Sequence, residues 1–423
     1  MVIYFYQTKF QIGEYNIVLI KELCRIHGVE ITDNPQLADA VFVSICDIVE
    51  MKLILKAKLF GKPVIAGGFA GYFPVARYWA DYVVHGEAYN FIREFSKLKN
   101  IEDIRHIRNV STWDKIGEFD EYIDYSLNPI VKVTKKGHYY YTGKGCPQKC
   151  KFCLMSYMQE YKTAPDKYLH RAFKSLPEGG LLFPMSSYFN YDIKRSEAKR
   201  LGCLDIKIKE YIHNSGVNTG RRIRTAIEFV SEENRKKLAK PMKDDEITEF
   251  IRITYQQKKE VVLYFIGGVE TQEQIIDWIE TTFPHNYNLK PRITMIFTML
   301  DPQPTTPFQA FDISKRIELS GEAIFKEAQK INRRIRVHRI KYIAHSFWRT
   351  ILQRATTEEE IAFAWSFRNM KDINKIRDAT FKFYPHLIGD ESLEDVKLLK
   401  RQRRDYPGIP IGRYGLPSKS GIA

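Results

Sequence analysis

Three cysteines fall within eight residues, Cys146, Cys150 and Cys153, in the stretch YYYTGKGCPQKCKFCLMSY. The chain of 423 residues has only six cysteines, so half of its thiols sit on one short segment. A disulfide would use two of the three and strand the third. A structural zinc ion takes four ligands, usually in paired short spacings, and no second C-x-x-C pair exists here. His138 or His170 could supply a fourth ligand, but neither stands at a zinc-finger offset. Three thiolates on one tight loop can instead hold three irons of a four-iron cluster and leave the fourth iron open to another ligand. Gly143 and Gly145 let the backbone turn around such an inorganic core. Backbone N–H groups nearby can donate to cluster sulfurs and tune the potential. Phe152 can shield one face.

The elements that must position this loop follow from hydrophobic pattern. Before it, apolar runs alternate with amphipathic stretches: VIYFY, DAVFVSIC, KPVIAGG and ADYVVHG read as strands, with helices between them that stop at Gly28 and Gly61. Apolar strands separated by helices predict a doubly wound parallel sheet over residues 1–100, covered on both faces. Ligands bind such a sheet at the carboxyl ends of its strands. That edge includes Thr8, Ser44, Gly67, Gly68, Gly86 and Glu87. The glycines allow a large flat ligand to approach the backbone, although ordinary turns produce the same pattern. Residues 101–137 read as a connector.

From residue 138 to 310 strand–helix units repeat, with strands in HYYYTGKG, GLLFPMS, LDIKIKEYI, RRIRTAIEF, EVVLYFIGG and RITMIFTML. The pattern predicts a partial (β/α)6 barrel of the TIM type, with its site where strands give way to helices. Residues 311–423 read as mostly helical and basic, ending in a Pro- and Gly-rich tail.

Composition is that of a globular protein, 44% hydrophobic and 28% charged. No run reaches the roughly 18 apolar residues of a membrane span, and the start reads as a first strand, not a leader. A soluble, cytoplasmic protein with no membrane partner is expected. The net charge of +15 suggests an acidic partner, a nucleic acid or a phosphorylated molecule. The densest basic run, KLLKRQRRDYP at residues 397–407, is either a phosphate-binding strip or a solvated tail. Cys24, Cys46 and Cys203 are isolated and read as small buried hydrophobes.

The cysteine loop, with an aromatic residue before its third cysteine and a strand before its first, resembles the signature of the radical S-adenosylmethionine enzymes. The resemblance covers residues 138–310. It implies a 4Fe-4S cluster on Cys146, Cys150 and Cys153, whose open iron binds S-adenosylmethionine. An electron then cleaves the C–S bond to give a 5′-deoxyadenosyl radical, which implies an electron donor protein. RTAIEFVSEENRKKLAKPMKDDEI resembles the family's fourth-strand region and implies that Glu228 lines the S-adenosylmethionine pocket. Arg222, Arg224, Ala226 and Glu228 would share one strand face, and a mere Glu–Arg pair is the alternative. VVLYFIGGVETQEQ resembles the fifth strand and puts Gly267 and Gly268 beside the adenosine. Ser186 and Ser187 occupy the second-strand position where the family often binds the methionyl amine. In MLDPQPTTPF, Thr305 stands where the family usually has Gly.

GKPVIAGGFAGYFPVARYWADYVVHGEAYNFI resembles the cobalamin-binding domain found ahead of some radical S-adenosylmethionine domains, through Asp81, Val83, Val84, Gly86 and Glu87. The Asp-x-His-x-x-Gly loop that gives cobalt a lower histidine is absent; YQTKFQIGEYN stands there. Methylthiotransferases begin with a similar sheet carrying three cysteines for a second cluster. Only Cys46 matches, and one thiolate cannot hold a cluster. The resemblance thus implies cobalamin-dependent methyl transfer to an unactivated carbon. A cobalamin-independent rearrangement, epimerisation or methylthiolation of a nucleotide, RNA or peptide stays open. So does a basic nucleic-acid-binding protein with a structural metal. The C-terminal region would complete the substrate pocket.

Overall fold

The structure is a computed structural model that describes residues 1–7, 14–157, 160–185, 195–198, 200–201, 208–213, 222–240, 242–283, 292–302, 306–338 and 343–390. It is a mixed α/β protein built on parallel sheets. In the front sheet, β1 (Val2–Phe5), β2 (Glu30–Thr32), β3 (Ala40–Ile45), β4 (Val64–Gly68), β5 (Tyr82–Val84) and β6 (Val110–Ser111) lie in the order β2-β1-β3-β4-β5-β6. All pairs are parallel except β5 with β6. Every residue of β3 is buried, as a central strand between two helical layers must be. The helices Glu14–Ile26 and Ala88–Phe95 cover one face, with Phe5, Phe42, Phe91 and Ile92 in that core. The first of these helices ends as the pattern predicted. Gly28 takes φ 70°, Gly28 N donates to Arg25 O and Val29 N to Cys24 O, which together make a Schellman cap.

The other face is covered from far along the chain. Helices Ile343–Arg354, Glu358–Ser366 and Ile373–Phe383 share one core with β3, β4 and the helices Lys52–Lys58 and Pro74–Trp79. The C-terminal helices are therefore part of the front layer's packing.

The middle of the chain forms three further ladders. Strands β7 (Val131–Lys132), β8 (Gly137–Tyr141) and β11 (Leu181–Met185) make one sheet, with β8 and β11 parallel. Strands β9 (Gly143–Lys144) and β10 (Lys162–Thr163) pair antiparallel. Strands β12 (Arg222–Glu228), β13 (Glu260–Gly267), β14 (Ile293–Met299) and β15 (Ile335–His338) form a parallel sheet in sequence order, covered by helices Asp244–Gln256, Gln272–Thr282 and Gly321–Ile331.

Three expectations change. The expected strand LDIKIKEYI carries a helix at Ile208–His213, packed on the helix Asp244–Gln256. Its buried Ile208 and Tyr211 are three residues apart, which puts them on one face of a helix but on opposite faces of a strand. Strand β15 lies in the region expected to be mostly helical; Ile335 and Val337 are buried and Arg336 and His338 exposed, the period of a strand. In the front sheet β2 and β6 were not anticipated, because two- and three-residue strands leave too little pattern to detect.

Candidate functional site

The cysteine loop is held at its base on both sides. Lys144 pairs with Lys162 and Gly143 with Thr163, while Ala164 N donates to Thr142 O at 2.8 Å and Thr142 N to Met185 O at 3.1 Å. Gly145, at φ 65°, turns the chain into the loop. Within it, Cys153 N donates to Cys150 O and Ser156 N to Cys153 O. Tyr157 Oη donates to Lys149 O at 3.2 Å. Lys151 N donates to Leu238 O at 3.1 Å and fastens the loop to the segment after β12.

All three thiols are free. Burial pushes Cys150 up to about 12; Lys240 opposes this, and Cys153 and Cys146 add to it. Burial also raises Cys153. Such thiols ionise when a bound cation compensates the charge. Among the described residues, no three His, Cys, Asp or Glu side chains form a group for a single metal ion. The donor set suits a ligand larger than one ion: three sulfurs on one loop, close enough to repel one another when charged.

Glu228 stands at the end of β12, where the register with β13 slips between Ala226 and Glu228. Arg222, Arg224 and Ala226 share its side of the strand, while Ile223, Thr225 and Ile227 are buried on the other. Glu228 takes φ 72°, a left-handed conformation that costs a non-glycine residue about 1–2 kcal/mol. The next residues hold it there. Glu270 accepts from Val230 N and Ser231 N, both at 2.7 Å, and from Asn234 Nδ2 at 3.2 Å. The fully buried Arg235 donates to Phe229 O at 2.7 Å, Val230 O at 2.8 Å and Met242 O at 2.9 Å, and pairs with Asp244. Lys240 Nζ lies 3.1 Å from Glu228 Oε1. Burial alone would lower Lys240, but Glu228 and Cys150 hold it above its usual range. Phe152 meets Phe229 edge-on at 5.8 Å.

Gly267 ends β13, and its carbonyl accepts from Leu300 N. Gly268, at φ 104°, passes its carbonyl to Ile317 N; a side chain there would be strained by that φ and would sit close against Met299 and Arg316. Ser186, Ser187, Thr8 and Thr305, and the basic run at 397–407, lie outside the described residues.

At the front sheet, Ser44, Gly67, Gly68 and Gly86 line one slot with Phe5, Ile17, Ile20 and Val84. Ser44 sits opposite Gly67, and Ile45 opposite Gly68. A side chain on Gly68 would strike the Ile45 carbonyl, and one on Gly86 the backbone of Asp120; both glycines have positive φ. Gly67 faces open space. Glu87 precedes the helix Ala88–Phe95 and reaches Lys144 Nζ at 2.8 Å, which ties this edge to the cysteine loop. His85, inside the Val-Val-x-Gly-Glu turn, is buried with Nε2 2.5 Å from Ser111 Oγ.

Of the residues singled out in the sequence for a cofactor, Phe152 and Cys153 line a cavity of about 500 Å³; Cys146, Cys150, Glu228, Gly267, Gly268, Glu87 and the residues of the front-sheet slot do not. Cys46, Asp47, Phe69 and Phe73 come from the front sheet, Phe152, Cys153 and Met155 from the cysteine loop, and Ile266, Met299 and Asp301 from the ends of β13 and β14. Arg349 and Gln353 come from the helix Ile343–Arg354. Arg349 bridges Asp47 at 2.8 Å and Asp301 at 3.3 Å, and Arg316 lies 3.6 Å from Asp301. Burial pushes the Asp301 carboxyl up against the pull of both arginines.

Sequence reasoning missed Lys240, Glu270, Asp301, Arg349 and Gln353. The first three lie inside stretches it had singled out. Arg349 and Gln353 left no signal, since one arginine and one glutamine on a basic helix look like surface.

No protein-family model matches the chain, and no curated protein sequence does. Solved structures do. A radical S-adenosylmethionine methyltransferase, TsrM from Kitasatospora setae, with cobalamin and a [4Fe-4S] cluster bound, aligns over 73% of this chain and 76% of its own at 13% identity and TM-score 0.54. The same enzyme with tryptophan substrate and the analogue aza-SAM aligns over 73% and 74% at 13% identity and TM-score 0.53. The cobalamin-dependent S-adenosylmethionine radical enzyme OxsB with aqua-cobalamin aligns over 66% and 52% at 10% identity and TM-score 0.46. Among the described residues no helix is long and apolar enough to cross a membrane. At this level of identity the likeness is one of fold, and the fold of this chain is that of the cobalamin-bound radical S-adenosylmethionine methyltransferase whose structures it matches.

Proposed function

We propose that the protein is a radical S-adenosylmethionine enzyme that transfers a methyl group to an unactivated carbon with cobalamin as carrier. The observation that carries this reading is the cavity on which the cysteine loop, the segments that follow β3 and β4 (Cys46, Asp47, Phe69 and Phe73) and the ends of β13 and β14 converge. Cys146, Cys150 and Cys153 hold three irons of a 4Fe-4S cluster, and Phe152, braced by Phe229, screens it from water. Glu228, paired with Lys240, receives S-adenosylmethionine beside the thiols. Ser44, Gly67, Gly68 and Gly86 stand at the sheet edge where cobalamin would lie, and the glycines let a large ligand approach the backbone; the slot they line, about 50 Å³, is too small for the corrin ring itself. When bound, these groups supply one-electron C–S cleavage and carriage of a methyl group. The chain's own work is to bind and orient them and to keep the space between them dry. A separate donor protein brings the electron.

The test is anaerobic reconstitution with iron and sulfide, followed by hydroxocobalamin. The expected result is a paramagnetic signal after dithionite, bound corrinoid absorbance, and loss of iron and of S-adenosylmethionine cleavage in Cys150→Ala. Intact turnover in that variant rejects the cluster assignment. Cluster without bound corrinoid removes the methyl carrier and leaves a cobalamin-independent radical modification.

A further inference from the structure

One wall of the cavity is a helix that carries none of the residues assigned to a cofactor. Ile343–Arg354 presents Arg349 and Gln353 to it. Arg349 is engaged by Asp47 and Asp301, and Arg316 by Asp301, so two guanidiniums face two carboxylates and their charges balance. With Arg349 and Arg316 already set against Asp47 and Asp301, the cavity offers an entering anion no uncompensated positive charge. Gln353 is different. Its side chain is 2% exposed, it lines the cavity, and its carboxamide oxygen accepts no hydrogen bond. A buried acceptor in that state gains from an N–H or O–H brought by a ligand. Elsewhere the cavity is walled by the apolar Phe69, Phe73, Phe152 and Met299.

Resting on the reading of this cavity as the reaction site, we propose that Gln353 reads the substrate. The substrate is then an uncharged molecule with an apolar carbon body and an N–H or O–H donor, not a phosphorylated nucleotide or a nucleic-acid strand. The carboxamide oxygen accepts the donor, and the aromatic walls hold the body.

The experiment uses the reconstituted full-length protein and two compound sets. One contains uncharged amides, alcohols and nitrogen heterocycles; the other contains nucleoside phosphates and short oligonucleotides. Retained compounds are identified by affinity-selection mass spectrometry. Compounds from the uncharged set are expected to be retained, and Gln353→Met, similar in volume but without the acceptor, should weaken them about ten- to hundredfold. Gln353→Glu keeps an acceptor oxygen and should retain them, which separates a lost hydrogen bond from a misfolded helix. Retention only of phosphorylated compounds, retention unaffected by Gln353→Met, equal loss in both variants, or no retained compound overturns the proposal. Iron content and the reduced paramagnetic signal are read on the same samples. Their absence in the wild type defeats the functional reading itself, whereas their presence alongside an overturning result defeats only the substrate assignment.

Discussion

Glu228 combines a costly backbone conformation with a nearly enclosed ion pair, and both features face the cysteine loop. A carboxylate in such a place needs its cation, because removing one partner of a buried pair leaves the other's desolvation uncompensated. Lys240→Met should therefore destabilise the chain by about 1–3 kcal/mol. It should also weaken S-adenosylmethionine binding in the reconstituted protein, with Lys240→Arg restoring part of both. Thermal unfolding and equilibrium dialysis of S-adenosylmethionine check the two effects. Unchanged affinity in Lys240→Met would detach the pair from the ligand and leave it a structural contact. Glu270 and Arg235, by contrast, bond the backbone of residues 229–231 and of Met242, together with Asn234 and Asp244, and so they position Glu228.

At the scale of elements, the front-sheet edge depends on its turns. The chain leaves β5 through His85, Gly86 and Glu87, and each does a different job. Gly86 supplies the positive φ and the close approach to Asp120. Glu87 reaches Lys144. His85 fills the space beside Gly71 and bonds Ser111 on β6. Burial, reinforced by Arg77, pushes the His85 pKa down to about 3. The unfolded imidazole binds a proton near pH 6.5, at about its unperturbed value. The unfolded state thus holds more protons between these values, and the stability tied to His85 is complete above about pH 6.5 and is lost as pH falls toward about 3. His85→Gln removes this titration, so its urea midpoint should fall less steeply than the wild type's over that window. Parallel slopes for the two proteins would show that His85 is not the group being protonated.

For the molecule as a whole, the decisive contact is between the C-terminal helices and the front sheet. Ile351 and Trp348 lie in one apolar core with Val43, Ile54 and Val75, residues that precede them by more than 250 positions. This packing carries Arg349 and Gln353 to the cavity. Ile351, with no exposed surface, should cost about 2–5 kcal/mol when cut to alanine. Because the core is shared, the loss should lower the front sheet and the C-terminal helices together. Hydrogen exchange on Ile351→Ala should show faster opening in both; acceleration confined to residues 343–383 would mean that the helices unfold independently.

Local spacing was enough to identify the cysteine loop, the alternation of strands and helices, the glycine stops and the row of residues at the front-sheet edge, because each is written in neighbours along the chain. Of that row Ser44, Gly67, Gly68 and Gly86 line one slot, Glu87 turns to Lys144, and Thr8 lies outside the described residues. The helix at Ile208–His213 and strand β15 escaped that reading, since short apolar segments satisfy both periods and only their packing partners choose between them. Tertiary structure alone brought Lys240 to Glu228, Asp301 between two arginines, and Arg349 and Gln353 to the cavity that Cys153 also lines. Those meetings depend on long-range burial of apolar surface, which no window of sequence contains.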